Sequence, residues 1–269
     1  MARRASRGVK STELYWSSLY RGSSSRLKAK NSLNALLESY YAFDLRRCIA
    51  AVADLTPGQR LLEVGCAPGG FLLFFHRRFG VKVDGMDYSR EGCRQTRATL
   101  AQSRIKGKIV HADFFNPEYQ RRNAGRYDAV FSAGFIEHFD DIRPAVAGHF
   151  RLAKRGGFVL CTVPNLRGVN KLLTPRAILS IHNLDVMSPD VLRREFSRHG
   201  DVLWVGHSGG FFNLGAFTYR SMLLELPRFG LYLLQRLTTD PLGKLLALVG
   251  FRPSWRYSSP SILIIARKK

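Results

Sequence analysis

Cysteine is scarce and scattered. The four thiols, Cys48, Cys66, Cys93 and Cys161, form no C-x-x-C pair and have no histidine partner at zinc spacing. This argues against a disulfide framework or a metal site, and the expectation is reduced thiols, no metal and a cytoplasmic location. Long apolar runs are missing too, since none reaches the roughly 18 residues that a membrane-spanning helix needs. The stretch MARRASRGVKSTELYW carries charge but no apolar core, so it does not read as a secretory signal. Internal repeats and low-complexity tracts are absent.

Acidic residues are the other shortage. Against 42 Lys and Arg stand 20 Asp and Glu, a formal net charge of +22. Such a field draws nucleic acid, anionic lipid or an acidic metabolite. An Arg-rich chain with a solvated basic surface carries the same charge. The basic residues run along the whole sequence and are densest in 1–30, which also holds Ser23, Ser24 and Ser25. That segment reads as a basic, partly disordered N-terminal piece, and residues 31–269 as one domain. Hydrophobic residues at 45% suffice for a real core.

What is present alternates. Helical spacing over 31–55 ends at Thr56-Pro57-Gly58, and RLLEV (60–64) reads as a strand. A glycine turn and a helix to Phe79 follow, then a strand at 81–87 and a helix from Ser89 to about Ser103. Further strands are expected at 108–113, 127–134, 157–164, 201–207 and 261–267. Helices are expected from Ile142 to Ala153 and from Ser188-Pro189, as N-cap and first helical residue, to His199-Gly200. The pattern predicts a Rossmann-like, doubly wound, mostly parallel seven-stranded α/β sheet with a helical N-terminal extension. Residues 208–257 are too long for a hairpin and include the apolar pieces MLLELPRFGLYLLQRL and GKLLALVGF. They read as a helical insertion packed on the core, with a lid or an interfacial membrane contact as the functional alternatives.

In an open α/β sheet, ligands sit beyond the carboxyl ends of the strands. There, Gly65, Ala67 and Gly70 come near the G-x-G-x-x-G spacing, and the helix that follows offers free N–H groups to an anion. Asp87 ends the second strand, where a carboxylate accepts ribose hydroxyls. Asp113 ends the third, where it can meet an adenine amino group while Phe114 covers the ring. Acids at Glu63, Asp87 and Asp113, closing successive strands, are more specific than the glycine turn alone.

The segments LLEVGCAPGG, VDGMDYS, HADFF, YDAVFSAGFIEHFDD and LAKRGGFVLCTVPN resemble a class I S-adenosylmethionine-dependent methyltransferase, over about 57–207 and the strand at 261–267. The resemblance is strongest to small-molecule and glycan-type enzymes with a Glu-His pair after the fourth strand. It implies that Gly65, Ala67 and Gly69 line the methionine part of S-adenosyl-L-methionine. It also implies Asp87 on the ribose, Tyr88 beside the adenine, Asp113 on its amino group, and Ser132, Ala133 and Gly134 near the sulfonium. The family usually has glycine at Ala67 and proline at Arg155. His138 is the candidate general base, with a structural hydrogen bond as its alternative, and Glu137 binds the cofactor's edge or orients the loop. His182 and Asn183 fall in the acceptor-side segment. His207 reads as structural, and Tyr15, Trp16 and Tyr20 as an anchor or an aromatic flap.

The expected reaction is O-methylation of a small-molecule or sugar-containing acceptor. RNA methylation is the alternative, prompted by the charge of +22 and the APGG turn. The ribose-methylating enzymes carry Asp after the fourth strand, where this chain has Ser132-Ala133-Gly134-Phe135. Base-amino methylation needs an Asn- or Asp-Pro-Pro-aromatic segment there, also absent, and Cys161 lies inside a strand rather than at a strand end. A degenerate cofactor-binding scaffold is disfavoured by the intact acids.

Overall fold

Neighbouring apolar residues in each strand point to opposite faces, and both faces are covered. The computed structural model describes residues 8–13, 15–17, 39–210, 234–235 and 237–269. Strands β1 (Arg60–Val64), β2 (Lys82–Asp87), β3 (Ile109–His111), β4 (Tyr127–Ala133), β5 (Ala153–Pro164), β6 (Gly200–Ser208) and β7 (Ser261–Lys268) build one sheet. Its order is β3-β2-β1-β4-β5-β7-β6. The first five strands are parallel, and β7 lies antiparallel between β5 and β6. The chain lays down β1, β2 and β3 toward one edge and returns to β4 on the other side of β1. The crevice at that switch is where such a sheet binds ligands.

Leu61, Val83, Phe131, Leu160 and Ile265 face one layer, formed by helices α1 (Tyr40–Val52), α2 (Gly70–Phe79) and α3 (Arg90–Gln102). Leu62, Met86, Val130, Val159 and Ile264 face the other. Among the helices covering that side, after the short α4 (Pro117–Arg122), are α5 (Arg143–Leu152) and, further along the chain, α8 (Pro189–Ser197). Phe75 and Phe131 are fully buried ring to ring at 4.8 Å, and each contributes about 1.5–3 kcal/mol by burial. Local chemistry sets the helix ends. Gly69 (φ 96°) starts α2 and Gly80 (φ 69°) stops it, while the Ser89 side chain accepts from Gly92 N–H to cap α3.

Several expectations shift. β3 stops at His111, so Asp113 sits beyond the strand in a turn, where its carboxylate accepts from the Phe115 N–H at 3.0 Å. β5 begins at Ala153 directly after α5, because Tyr127 of β4 already pairs with Ala153. Ser188 precedes α8 without a side-chain cap bond. The α4 helix and the short α6 (Val169–Leu173) and α7 (Arg176–Ser180) lie where no helix was expected. Within 208–257, α9 (Thr239–Leu248) covers most of GKLLALVGF. The first apolar piece, apart from 234, 235 and 237, lies outside the described residues, as do 18–38 with Tyr20. Among the described residues, no helix is long and apolar enough to cross a membrane.

Candidate active site

Backbone chemistry shapes the first half of the site. Between β1 and α2 the chain turns through Gly65 (φ 71°) and Gly69 (φ 96°), conformations that favour glycine. With glycine as N-cap, α2 has no capping side chain; the Leu72 N–H meets the Glu63 carboxylate, and the N–H groups of Gly70 and Phe71 are left for an anion. Asp87 fixes the turn. One carboxylate oxygen accepts from Ala67 N–H at 3.2 Å, the other from Ser89 N–H at 2.8 Å. The Tyr88 N–H also acts on the carboxylate, and the lone pair that remains can still accept a hydroxyl. The alanine in place of the family's glycine is thus accommodated, its amide tied to the acid that follows. Burial raises the carboxyl of Asp87 above its ordinary range, against the pull of those N–H donors.

Glu63 is 3% exposed, and its Oε2 has no hydrogen-bond partner. Burial, then the charge of Asp87, hold its carboxyl well above the usual range. A buried polar atom without a partner beside a glycine turn suits a ligand that donates to it. Tyr88 is half-buried next to Asp87, and its carbonyl accepts from His111 Nε2. Glu63, the Gly65–Gly69 turn, Asp87, Tyr88 and Asp113 thus all stand at or just past the carboxyl ends of β1, β2 and β3.

The second half of the site lies after β4. A single turn of 3-10 helix, Ile136–His138, buries both polar residues of the Glu-His pair. Glu137 is 0% exposed, neither carboxylate oxygen has a well-formed hydrogen bond, and burial pushes its carboxyl up to about 8 against the pull of the Glu137 and Phe135 N–H groups. His138 Nδ1 donates to the Ile181 carbonyl at 2.8 Å, which fixes the tautomer and leaves Nε2 as a lone-pair acceptor. Burial, then the neighbouring His182, push the imidazole down to about 4. The His182 ring lies tilted against it, centroids 4.6 Å apart, with its own Nδ1 donating to the Ile178 carbonyl at 2.6 Å. Trp16 closes the group from outside, its ring edge-on to His138 at 5.1 Å.

The N-terminal strap that carries Trp16 is built onto the site. Val9 bridges Phe139, Lys10 N–H donates to the His138 carbonyl, and Lys10 Nζ pairs with Asp140 at 2.8 Å. The Ser17 hydroxyl meets that of Ser89 at 3.0 Å, beside Asp87. Trp16 is therefore both anchor and cover, which no sequence pattern distinguishes. The Ile178 and Ile181 carbonyls that orient the imidazoles carry no sequence signal either.

Three expected site residues are placed elsewhere. Phe114 is 3% exposed and packs on His149 and on Gly148, where a Cβ would meet its ring at 2.7 Å. Its ring is core, not an adenine cover. The Ser132 hydroxyl is buried and donates to Cys161 Sγ, so only its backbone can serve the crevice. The Asn183 amide donates to the carbonyls of Phe139 and Asp140, and its N–H to that of Glu137. It braces the Glu-His turn rather than reaching an acceptor. His207 stands at the end of β6, in keeping with a structural place.

A family profile described as a methyltransferase domain matches residues 37–201. The ubiquinone biosynthesis O-methyltransferase of Erwinia tasmaniensis is 31% identical over 162 residues, 58% of this chain and 63% of that protein. Phosphoethanolamine N-methyltransferase 2 of Caenorhabditis elegans is 30% identical over 120 residues, 44% of this chain and 26% of that one. The chain thus spans less than two thirds of these curated relatives. Among solved structures, the [4+2]-cyclase SpnF has a TM-score of 0.58 at 15% identity, covering 83% of this chain and 80% of that one. Geranyl diphosphate C-methyltransferase from Streptomyces coelicolor, solved with Mg2+, geranyl diphosphate and S-adenosyl-L-homocysteine, has a TM-score of 0.51 at 16% identity. It covers 84% of this chain and 78% of that one. At such identities the likeness shows the fold.

Proposed function

The chain belongs to the class I S-adenosylmethionine-dependent methyltransferases, and from that premise we propose that it methylates a hydroxyl of a small, sugar-containing or otherwise polar molecule. One observation carries the reading: the glycine turn held by Asp87 and the buried Glu137–His138–His182 group both lie beyond the carboxyl ends of the central strands. The names of the curated relatives, an O-methyltransferase of ubiquinone biosynthesis and a phosphoethanolamine N-methyltransferase, support a small acceptor.

Asp87 would hold a ribose hydroxyl, the Gly65–Gly69 turn and the α2 N-terminus the methionine tail, and Asp113 and Tyr88 the adenine side. When bound, S-adenosylmethionine supplies a sulfonium methyl: the acceptor oxygen's lone pair takes the carbon while the carbon–sulfur pair stays on sulfur as a neutral thioether. Positioning supplies much of the barrier reduction, on the order of 7–11 kcal/mol. His138 Nε2 takes a hydrogen bond and then the proton from the acceptor, with the Ile181 carbonyl holding the ring in place. Trp16 and His182 exclude water from that lone pair.

The test is calorimetric binding of S-adenosylmethionine followed by transfer of labelled methyl into a metabolite extract and, separately, into total RNA. We expect binding that Asp87→Ala weakens by at least about 10-fold, and label in the metabolite fraction. No binding would reject the cofactor, and label confined to RNA would reject the acceptor class.

A further inference from the structure

The Glu137–His138–His182 group holds more acceptors than donors. Glu137 sits at 0% exposure, and neither carboxylate oxygen has a well-formed hydrogen bond, only the weak pull of the Phe135 and Glu137 N–H groups. Buried carboxylates in native proteins have hydrogen-bond donors, a paired cation or a metal. Besides those two N–H groups, His138 Nε2 lies 3.9 Å from Glu137 Oε1, beyond hydrogen-bond reach. That nitrogen is also a lone pair rather than an N–H, because Nδ1 carries the proton given to Ile181. His182 repeats the arrangement, its Nδ1 proton spent on the Ile178 carbonyl. Two imidazoles, each with one ring nitrogen left as an acceptor, and the Glu137 carboxyl are therefore gathered with few donors among them.

We infer that Glu137, His138 and His182 form the binding site of one divalent transition-metal ion of the zinc class. One ligand atom from each lies within 4.8 Å of the others, and among the described residues no other group of three such side chains is so placed. Two ligands on a tetrahedral zinc stand about 3.4 Å apart, given bonds of about 2.0–2.2 Å. The 3.9 Å between Glu137 and His138, and separations of up to 4.8 Å within the group, would have to contract toward that on binding. Backbone carbonyls on both Nδ1 atoms are the outer partners that orient metal-bound imidazoles. Two nitrogens and one oxygen are a borderline donor set, which suits zinc or cobalt better than calcium or magnesium. Only three protein ligands are supplied, so at least one position stays open, as in catalytic rather than structural zinc sites.

The role of the ion rests on the methyltransferase reading; its binding does not. An acceptor hydroxyl in the open position loses its proton to solvent at a lower pH, and the metal-bound oxygen then provides the attacking pair. His138 becomes a ligand in that form and no longer takes the proton, which leaves to solvent because the bound hydroxyl is more acidic. This suits an imidazole that its surroundings keep poorly basic. The expectation from cysteine spacing, that no metal is bound, overlooked two histidines far apart in sequence.

Titration calorimetry of the full chain, stripped with EDTA and given ZnCl2, should show one site. Co2+ in its place should give visible d–d absorption. Glu137→Gln and His182→Ala should each weaken zinc by more than about 100-fold, beyond the loss expected of a mere outer partner. His76→Ala, at the far end of α2, should leave it unchanged. His182 is half-buried, so its variant keeps the test valid should Glu137→Gln fail to fold. No zinc binding, or binding that survives in a folded His182→Ala protein, overturns the inference. S-adenosylmethionine binding is measured on the same stripped protein, so failure of the cofactor reading is seen separately.

Discussion

Ionising a carboxylate that has neither exposure nor a well-formed hydrogen bond costs several kcal/mol, and the metal-free chain avoids this by keeping Glu137 protonated to about pH 8. In the unfolded chain the same group titrates at its ordinary value of 4.5. The folded form therefore binds the proton more tightly, and stability falls as pH rises from 4.5 toward 8, by about 1.4 kcal/mol per unit at most. Glu137→Gln removes that slope. In EDTA, the melting temperature of the variant should gain on the natural chain between pH 5 and pH 8, and a constant difference would mean that the carboxyl is not isolated. His149 has the opposite sign. Fully buried against Phe114 and Phe135, it is pushed down to about 4 from 6.5, and its Nδ1 donates to the Ala145 carbonyl. Its contribution is whole above pH 6.5 and is lost as pH falls toward 4, because the unfolded chain takes up the proton first. His149→Leu should flatten the acid limb of the melting profile, whatever it costs at neutral pH.

Elements far apart in the chain meet at Asp44, whose 2% exposure would be costly without partners. Its two oxygens accept from Arg252 Nε and Nη2 at 2.8 and 3.0 Å, and one accepts from Gly209 N–H at 2.9 Å. One α1 side chain thereby ties down the exit of β6 and the segment leading into β7. Asp44→Ala strands a partly buried guanidinium and a backbone N–H, and should cost about 3–5 kcal/mol in urea unfolding. Adding Arg252→Met should recover part of that loss, and strictly additive losses would show that the pair is not coupled. No periodicity could have named this contact, which joins residues 208 positions apart. The same limit marks what was legible elsewhere. Strand and helix limits from 60 to 103 followed from alternation, glycine and Ser89, since those signals are local. The antiparallel insertion of β7, the short α4, α6 and α7, and the inward turn of Phe114 depend on packing across the sheet. At the site, Asp87 stood out because it ends β2, and the Glu-His pair through the family resemblance. The Trp16 cover and the backbone braces of His138 and His182 did not, because their partners are distant in the chain.

At the scale of the whole molecule, a charge of +22 and buried acids at the crevice belong to different parts of the protein. Arg77 and Arg78 at the end of α2, Arg121 and Arg122 on α4, Arg155 in β5 and Arg193 and Arg194 on α8 are exposed on separate elements. Glu63, Asp87 and Glu137 are buried within the site. A distributed cationic surface attracts any polyanion by releasing its counterions, and that attraction weakens steeply with salt. Ligand contacts inside a crevice rest on short-range donors and acceptors, which salt screens far less. The two kinds of binding should therefore separate on a salt axis. Raising NaCl from 50 to 200 mM should lower affinity for total RNA or heparin by more than about 10-fold. Affinity for S-adenosylmethionine should change by less than about 2-fold over the same range. Parallel loss of both would place basic surface residues in the cofactor site. RNA affinity that survives the added salt would mean that a specific nucleic-acid surface exists, and the acceptor would then have to be sought in RNA.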